Sequence, residues 1–192
     1  MKIYEVTPDS SYRFMYPEDS VYKSKEWNFN GTPLIEVLPK VFNAYFDKKS
    51  DAPEPDIAYI GMMTFAFRKN VAAELADILE AAGELQSFYV GDDLWYCLNV
   101  TTIADAVDEA NSTYEVDEDG MKFGLIKPVF DVEKIPQSSS LFKVPSDNFT
   151  MIYCADRRST DENVLNNFFC AVAGHNYTGI KFVEVYDTDM SD

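Results

Sequence analysis

The spacing of apolar side chains predicts a first helix over residues 70–82. The apolar positions recur every three or four residues, which places them on one helical face opposite an acidic one; they are Val71, Leu75, Ile78 and Leu79. Gly83 comes directly after this pattern, and a glycine there is typical of the residue that closes a helix in a left-handed conformation. We therefore expect the helix to bury its apolar face and to end at Gly83.

A second helix is predicted from about Thr160 to Ala173. Ser159 and Glu162 have the spacing of a capping box, in which each side chain accepts a hydrogen bond from a free backbone N–H at the helix start. Gly174 is expected to end this helix. The side chains expected to be buried are those of Val164, Leu165, Phe168, Phe169 and Val172.

Alternating apolar and polar positions, and runs rich in aromatic and β-branched side chains, predict strands elsewhere. These strands cover residues 2–6, 56–60, 65–67, 85–90, 94–100, 113–116, 121–130, 149–154 and 180–186. Gly91-Asp92-Asp93 is expected to form a hairpin turn, and residues 117–120 a second turn. A short helix is predicted from Thr101 or Thr102 through Asp108.

Together these elements predict an α+β fold, a single compact unit with a mostly antiparallel sheet and two principal helices. A chain of 192 residues, of which 46% are hydrophobic, can bury the core of one domain over residues 1–192. Within that domain, residues 1–55 form an irregular segment that contains prolines and many apolar side chains. We expect this segment to wrap around an α+β core of residues 56–186.

The acidic residues are concentrated in one part of the sequence. From Glu74 to Met121 the chain carries thirteen Asp and Glu residues and no Lys or Arg, and the whole chain has a formal net charge of −17. A chain this acidic is not expected to bind nucleic acid, because phosphate recognition depends on clustered Lys and Arg. A strong negative field instead raises the encounter rate with basic molecules. The charge therefore predicts a cationic protein partner, although an acidic face that only contacts water explains it equally well.

We interpret part of this acidic window as a recognition surface. Its candidate residues lie on or near turns, and aromatic residues are interleaved with them; they are Asp92, Asp93, Trp95, Asp105, Asp108, Glu109, Tyr114, Asp117, Glu118 and Asp119. The spacing of Asp105, Asp108 and Glu109 is compatible with one helical face. Trp95 or Tyr114 is expected to anchor the partner. If the carboxylates steer association, Asp92→Lys with Asp93→Lys slows capture of the partner most at low ionic strength.

The sequence contains little that predicts catalysis or a cofactor. His175 is the only histidine, and Cys97, Cys154 and Cys170 are far apart, so no catalytic site, metal site or cofactor is predicted. Residues 117–120 place carboxylates near a glycine but lack the ligand spacing of an EF-hand loop. Two alternatives stay open: a metal-dependent hydrolase built on acidic residues, and a structural module that associates with itself.

No apolar run approaches the ~20 residues that span a bilayer, and the first residues do not resemble an export signal. We therefore expect a cytoplasmic protein that does not insert into a membrane.

Several segments, taken in order, resemble a family of bacterial immunity proteins. They are Asp56-Ile57, the helix at 70–82 with Gly83-Glu84, the strand 94–100, Asp105-Ala106-Val107-Asp108 with Ser112, Phe130-Asp131 with Lys134-Ile135, the segment 141–144 and the segment 177–185. The family is the eleventh immunity family of polymorphic toxin systems, formerly domain of unknown function 1629, and the resemblance covers roughly residues 56–186. It implies a cytosolic, non-enzymatic protein that binds the effector domain of a toxin encoded beside it and blocks that domain. Many such toxins are nucleases with a basic substrate groove, which an acidic inhibitor can fill.

Overall fold

A computed structural model describes residues 1–190 of the chain. Twelve strands are present in these residues: β1 Lys2–Pro8, β2 Met15–Pro17, β3 Ala44–Phe46, β4 Ile57–Gly61, β5 Thr64–Arg68, β6 Gly83–Val90, β7 Asp93–Val100, β8 Thr113–Val116, β9 Lys122–Lys127, β10 Leu141–Phe142, β11 Tyr153–Asp156 and β12 Ile180–Asp187. The α-helices are α1 Asp19–Tyr22, α2 Lys69–Glu74, α3 Ala76–Ala82, α4 Asp161–Leu165 and α5 Phe168–His175. All strand pairs within the named sheets are antiparallel. The predicted α+β class is confirmed.

The first of two four-stranded sheets has the order β10-β11-β1-β12. Strand β1 lies inside this sheet, where Tyr4 is opposite Cys154 on one side and opposite Glu184 on the other. The two faces of β1 enter different cores, because Ile3 packs with residues such as Phe142 whereas its neighbour Tyr4 packs on the opposite side. Residues 1–55 therefore do more than wrap around residues 56–186, because they supply an interior strand.

The second sheet has the order β4-β5-β7-β6. One face of it packs against helices α2, α3 and α5 and against the first sheet. The segment between Met15 and Phe46 covers the other face, and its buried apolar side chains include Trp27, Phe29 and Phe42. This part of the chain therefore lies over the second sheet.

The first predicted helix is present but is interrupted at Leu75, whose φ and ψ of −100° and 12° separate α2 from α3. Gly83 does not close the helix in a left-handed conformation. Its φ of 168° is extended, and it begins β6. A Cβ atom at Gly83 would lie 2.0 Å from the carbonyl oxygen of Asn99, so the glycine permits close contact between β6 and β7.

The second predicted helix is also divided, into α4 and α5. The side chain of Thr160, not Ser159, accepts the capping hydrogen bond from the N–H of Asn163 at 3.1 Å. The side chains of Val164 and Leu165, at the end of α4, are 41% and 75% exposed, so the prediction that they are buried is wrong. Helix α5 continues past Gly174 to His175 and ends at Asn176, which adopts the left-handed conformation.

Asn167 begins α5 and links it to the first sheet. Its side-chain oxygen accepts a hydrogen bond from the N–H of Cys170 at 3.1 Å, and its amide nitrogen donates to a carboxylate oxygen of Asp156 at 2.7 Å. Arg158 donates two hydrogen bonds to the same carboxylate, at 2.7 and 2.8 Å. Asp156 is buried, so this network replaces the water that its charge has lost.

None of the helices within residues 1–190 combines the length and the apolar character needed to cross a membrane.

Lys143 is fully buried between the wrapping segment and the first sheet. Its ammonium group donates hydrogen bonds to the carbonyl oxygens of Phe29 and, at 2.9 Å, Phe149. Burial lowers the pKa of Lys143 to about 8, against the opposing effects of Asp147 and Cys97. The buried ammonium thus joins segments that lie far apart in the sequence.

We expect stability to rise with pH relative to a Lys143→Met variant. Between pH 7 and 9 the folded protein loses the proton of Lys143 while the unfolded chain, with an ordinary lysine pKa near 10.5, keeps it. The unfolded state then binds more protons, so the free energy of unfolding increases by up to about 1.4 kcal/mol. The two carbonyl hydrogen bonds favour the charged form, which makes this figure an upper value. Urea denaturation of both proteins at pH 7, 8 and 9 measures the difference.

The Met variant serves as the reference because other groups titrate in the same range. The thiols of Cys97 and Cys154, whose pKa values burial raises to about 12, lower stability in both proteins as pH rises above about 9. Equal pH dependence of wild type and variant would show that Lys143 stays charged in the folded protein up to pH 9.

Candidate protein-interaction site

The acidic window of the sequence does not form one surface. The carboxylate of Glu84 faces inward and accepts hydrogen bonds from the N–H of Leu34 at 2.7 Å and the side-chain amide of Asn99 at 3.1 Å. The carboxylate of Glu74 accepts a hydrogen bond from the hydroxyl of Tyr177 and lies 3.4 Å from Nδ1 of His175. Both carboxylates therefore interact with residues from other parts of the chain.

Asp92 and Asp93 lie at the turn between β6 and β7, which confirms the predicted hairpin. Both side chains are exposed. They line a cavity of about 300 Å³ together with Arg68, the last residue of β5, and Lys69, the first residue of α2. Acidic and basic groups therefore lie together at this turn. The sequence did not indicate this, because the window from Glu74 to Met121 contains no Lys or Arg.

Trp95 does not have the exposed position that an interface anchor needs. Its side chain is 1% exposed, and it belongs to the core beneath the wrapping segment. The ring of Phe46 meets it edge-on at 5.6 Å, and the guanidinium group of Arg68 lies 4.7 Å from its ring centre. The structure corrects this part of the predicted surface.

The predicted helix from residues 101–102 to 108 is wrong. This segment is extended, because the N–H of Ala104 donates to the carbonyl of Lys143 at 2.9 Å and Val107 pairs with Phe130. Asp105, Asp108 and Glu109 consequently do not share a helical face. The carboxylate of Asp108 accepts hydrogen bonds from the side chain of Asn111 and from two backbone N–H groups, which lower the pKa of Asp108.

Distance also separates the predicted residues. Asp93 and Val100 are the two ends of β7, and seven steps of about 3.3 Å place them roughly 23 Å apart. Beyond Val100, the N–H groups of Thr101 and Thr102 bond to Ala82 at the far end of the hairpin. Asp92 and Asp93 therefore lie at the end of β7 opposite to the one from which the chain continues toward Asp105.

Asp117, Glu118 and Asp119 lie at the tip of a two-stranded ribbon formed by β8 and β9, as the sequence predicted. The carboxylate of Asp117 accepts hydrogen bonds from the N–H groups of Asp119 at 3.0 Å and Met121 at 2.7 Å, so it shapes the turn. Glu118 and Asp119 are exposed. The tip therefore presents two carboxylates whose side chains form no hydrogen bond within residues 1–190.

The same ribbon exposes large apolar side chains. Val116, Met121, Phe123 and Ile126 are 56%, 68%, 60% and 59% exposed. Single exposed apolar residues are common on soluble proteins, but four within one hairpin form a concentration of apolar surface that is typical of an interaction site. Sequence patterning did not identify this feature, because apolar positions in a strand usually predict a buried face.

Tyr114 lies at the base of the ribbon. It is half-buried, and the ammonium group of Lys122 lies 4.1 Å from its ring centre. Leu125, opposite Tyr114 in the ladder, packs against the core on the outer face of the first sheet. These two residues fasten the ribbon to the body of the protein, so Tyr114 supports the exposed surface more than it contributes to it.

Within residues 1–190, no third strand is hydrogen-bonded to β8 or β9. The ribbon thus has two open edges, meaning edges that are not paired with another strand, although β9 also contacts the 3-10 helix Pro145–Asp147. Open edges of this kind are the basis of recognition by strand addition, in which backbone hydrogen bonds hold the partner and side-chain contacts select it. The arrangement can bind an extended peptide segment next to an acidic tip.

The groups considered for catalysis lie apart from the ribbon. Cys97 and Cys154 are buried in the two sheets, and burial raises the pKa of each thiol to about 12, which suppresses the nucleophilic thiolate. His175 is exposed at the end of α5, where its ring stacks on that of Tyr177 at 5.0 Å. Among residues 1–190, no group of three or more His, Cys, Asp or Glu side chains is placed to hold a metal ion.

No protein-family model matches this chain, and a search of curated proteins finds no match either, so the resemblance to immunity proteins stays a prediction.

Proposed function

We propose that this protein is a non-enzymatic immunity protein that uses the β8–β9 ribbon to bind a basic toxin effector domain and neutralise it stoichiometrically. The observation that carries the proposal is the ribbon itself, which combines four exposed apolar side chains, two open edges and an acidic tip. The net charge of −17 favours a cationic partner, and the resemblance noted above supplies the class of that partner. Binding requires no metal or cofactor in this proposal.

The two parts of the ribbon have different physical roles. Burying a Val, Ile, Phe or Met side chain contributes about 1.5–3 kcal/mol, so the apolar residues supply most of the affinity. Exposed carboxylates such as Glu118 and Asp119 mainly increase the association rate, and salt screens this effect. We therefore expect apolar substitutions to speed dissociation and charge reversals to slow association.

Self-association is the second candidate function, because open edges also allow two copies of the ribbon to pair. Two copies bring together two acidic tips on chains that each carry a charge of −17. Their repulsion opposes pairing and weakens as salt increases, so a dimer that forms only at high ionic strength would support self-association. The hydrolase alternative has no structural observation in its favour.

We expect Phe123→Thr with Ile126→Thr to weaken toxin binding by more than about tenfold without lowering stability. Threonine keeps the strand preference of both positions, and both side chains are exposed, so only the apolar contact surface is lost. The test uses the effector domain of the toxin encoded beside this gene. Its binding is measured by surface plasmon resonance, and its toxicity by growth of cells that co-express the two proteins.

Val183→Thr is the matched control, because Val183 is an exposed strand residue of β12, outside the ribbon. The same measurement compares Glu118→Lys with Asp119→Lys and the pair Asp92→Lys with Asp93→Lys. We expect the ribbon reversal to slow association more, since Arg68 and Lys69 already offset the charge of the other pair. If the Phe123→Thr, Ile126→Thr variant neutralises the toxin as well as wild type does, the ribbon is not the binding surface. If the wild-type protein does not bind the effector domain, the protein has no immunity role toward this toxin.

A further inference from the structure

A cavity of about 440 Å³ opens between the wrapping segment and the turn that joins β4 and β5. Its walls carry the rings of Tyr16, Tyr22 and Tyr59 and the side chains of Met62, Met63 and Phe149. The rim is exposed, since Tyr22 and Met62 are 51% and 50% accessible. This volume is within the range of small-molecule and side-chain binding pockets in proteins, and Tyr and Met are enriched at protein interfaces.

Two strained turns form parts of the cavity wall. Met62 and Met63 have φ values of +50° and +46°, and Asn148 and Phe149 have +57° and +59°. Positive φ costs residues other than glycine roughly 1–2 kcal/mol each, and such strain concentrates at binding sites where the surrounding structure enforces it. The β4–β5 turn would favour Asn-Gly, yet the chain places two methionines there, and both belong to the lining of the cavity.

The charge around the cavity selects a neutral occupant. None of its lining residues is Asp, Glu, Lys or Arg. The ammonium group of Lys143 bonds to the carbonyls of the lining residues Phe29 and Phe149, and its positive charge opposes the attraction that the net charge of −17 exerts on a cation. The net negative charge of the protein disfavours an anion. Aromatic walls and thioethers favour an aromatic ring instead.

The cavity and the ribbon flank the same stretch of chain. Strand β9 contacts the short 3-10 helix Pro145–Asp147, and the next residues, 148–150, form one wall of the cavity. This 3-10 helix therefore lies in the chain between the contact with β9 and the cavity wall. We propose that the cavity receives a neutral aromatic side chain, Phe, Tyr or Trp, from a loop of the protein bound at the ribbon; this inference rests on the proposed function for the identity of the partner.

The first experiment measures, without the partner protein, which class of chemical group the cavity binds. Full-length protein with ¹³C-labelled methionine methyl groups is titrated with 3-methylindole, with n-butylguanidinium and with benzoate, which represent neutral aromatic, cationic and anionic groups. We expect only 3-methylindole to shift the Met62 and Met63 methyl signals, at millimolar concentrations, while those of Met121 on the ribbon and buried Met15 stay unchanged. No shift at Met62 and Met63, or a stronger response to either charged probe, would overturn the inference.

The second experiment uses the toxin effector domain. We expect Tyr22→Ala and, separately, Met62→Ser to raise the dissociation constant by about tenfold, whereas Tyr89→Ala, which alters a tyrosine outside the cavity that is 38% exposed, leaves it unchanged. If ribbon variants weaken binding and both cavity variants bind like wild type, the cavity inference fails and the proposed function stands. If wild type does not bind the effector domain, the proposed function fails, and the methyl shifts alone then decide whether the cavity prefers aromatic groups.

Discussion

Replacing Gly179 with alanine is expected to prevent folding. A Cβ atom at Gly179 would lie 2.0 Å from the carbonyl oxygen of Ile57 and 2.4 Å from Cβ of Pro55, and its φ of +103° is already unfavourable for any residue with a side chain. The neighbouring Thr178 is held by hydrogen bonds between its backbone and that of Ile57 and to the carboxylate of Asp56. Neither β4 nor the turn at Gly179 can move away without breaking these hydrogen bonds. We therefore expect the substitution to lower the free energy of unfolding by more than about 4 kcal/mol.

Gly174→Ala provides the control for this prediction. Gly174 lies within α5, and outside this helix no atom of residues 1–190 is within 4 Å of the position its Cβ would take. Alanine there should therefore stabilise the protein by about 0.5–1 kcal/mol. Soluble yield, circular dichroism and urea denaturation distinguish the two variants. A folded Gly179→Ala protein with near wild-type stability would mean that the junction of β4 and β12 is looser than the structure shows.

Removing the carboxylate of Asp156 has the second largest expected effect, a loss of about 3 kcal/mol for Asp156→Ala. The substitution leaves the buried amide of Asn167 with one of its two acceptors, the carbonyl of Arg157 at 3.1 Å, and frees the guanidinium group of Arg158 from both of its hydrogen bonds to Asp156. Since Asn167 also caps α5, the loss should extend to the start of that helix. Urea denaturation gives the change in stability, and amide hydrogen exchange at the N–H of Cys170 reports on the cap.

Asp19→Ala is the comparison, because it breaks an ion pair between two exposed side chains. Asp19 and Lys23 are 2.5 Å apart but about 70% exposed, so breaking their contact should change stability little. If both substitutions had equally small effects, the network around Asp156 would not be a significant source of stability.

The parts of the fold that local sequence determines were predictable. The hairpin of β6 and β7 needs only a glycine-containing turn between two strands, and the helical stripe of α2 and α3 needs only the spacing of Val71, Leu75 and Leu79. Helix ends were less predictable, because Gly83 has the sequence position of a helix-closing residue but is required for close strand contact. Glycine is favoured both at the end of a helix and where two strands come close together, and the sequence alone does not show which of the two applies.

The candidate site was predictable only in part. The acidic tip of the ribbon follows from turn residues, but the exposure of Val116, Phe123 and Ile126 depends on how the rest of residues 1–190 packs around the ribbon, which is a property of the whole fold. The neutralising positions of Arg68 and Lys69 also depend on long-range packing. Gly61 precedes Met62 and Met63, but methionine is not a residue type that normally accompanies positive φ, so the conformation of these two residues was not predictable.

The interior position of β1 has a consequence for how the protein forms during synthesis. Tyr4 is translated 150 residues before Cys154 and 180 residues before Glu184, its partners on the two sides. Until both later strands have left the ribosome, the first strand has two unpaired edges and exposed apolar faces, a state that slows folding and invites aggregation. The first sheet therefore cannot assemble before β12 has been translated, so a nascent chain that ends before Ile180 cannot contain the complete sheet.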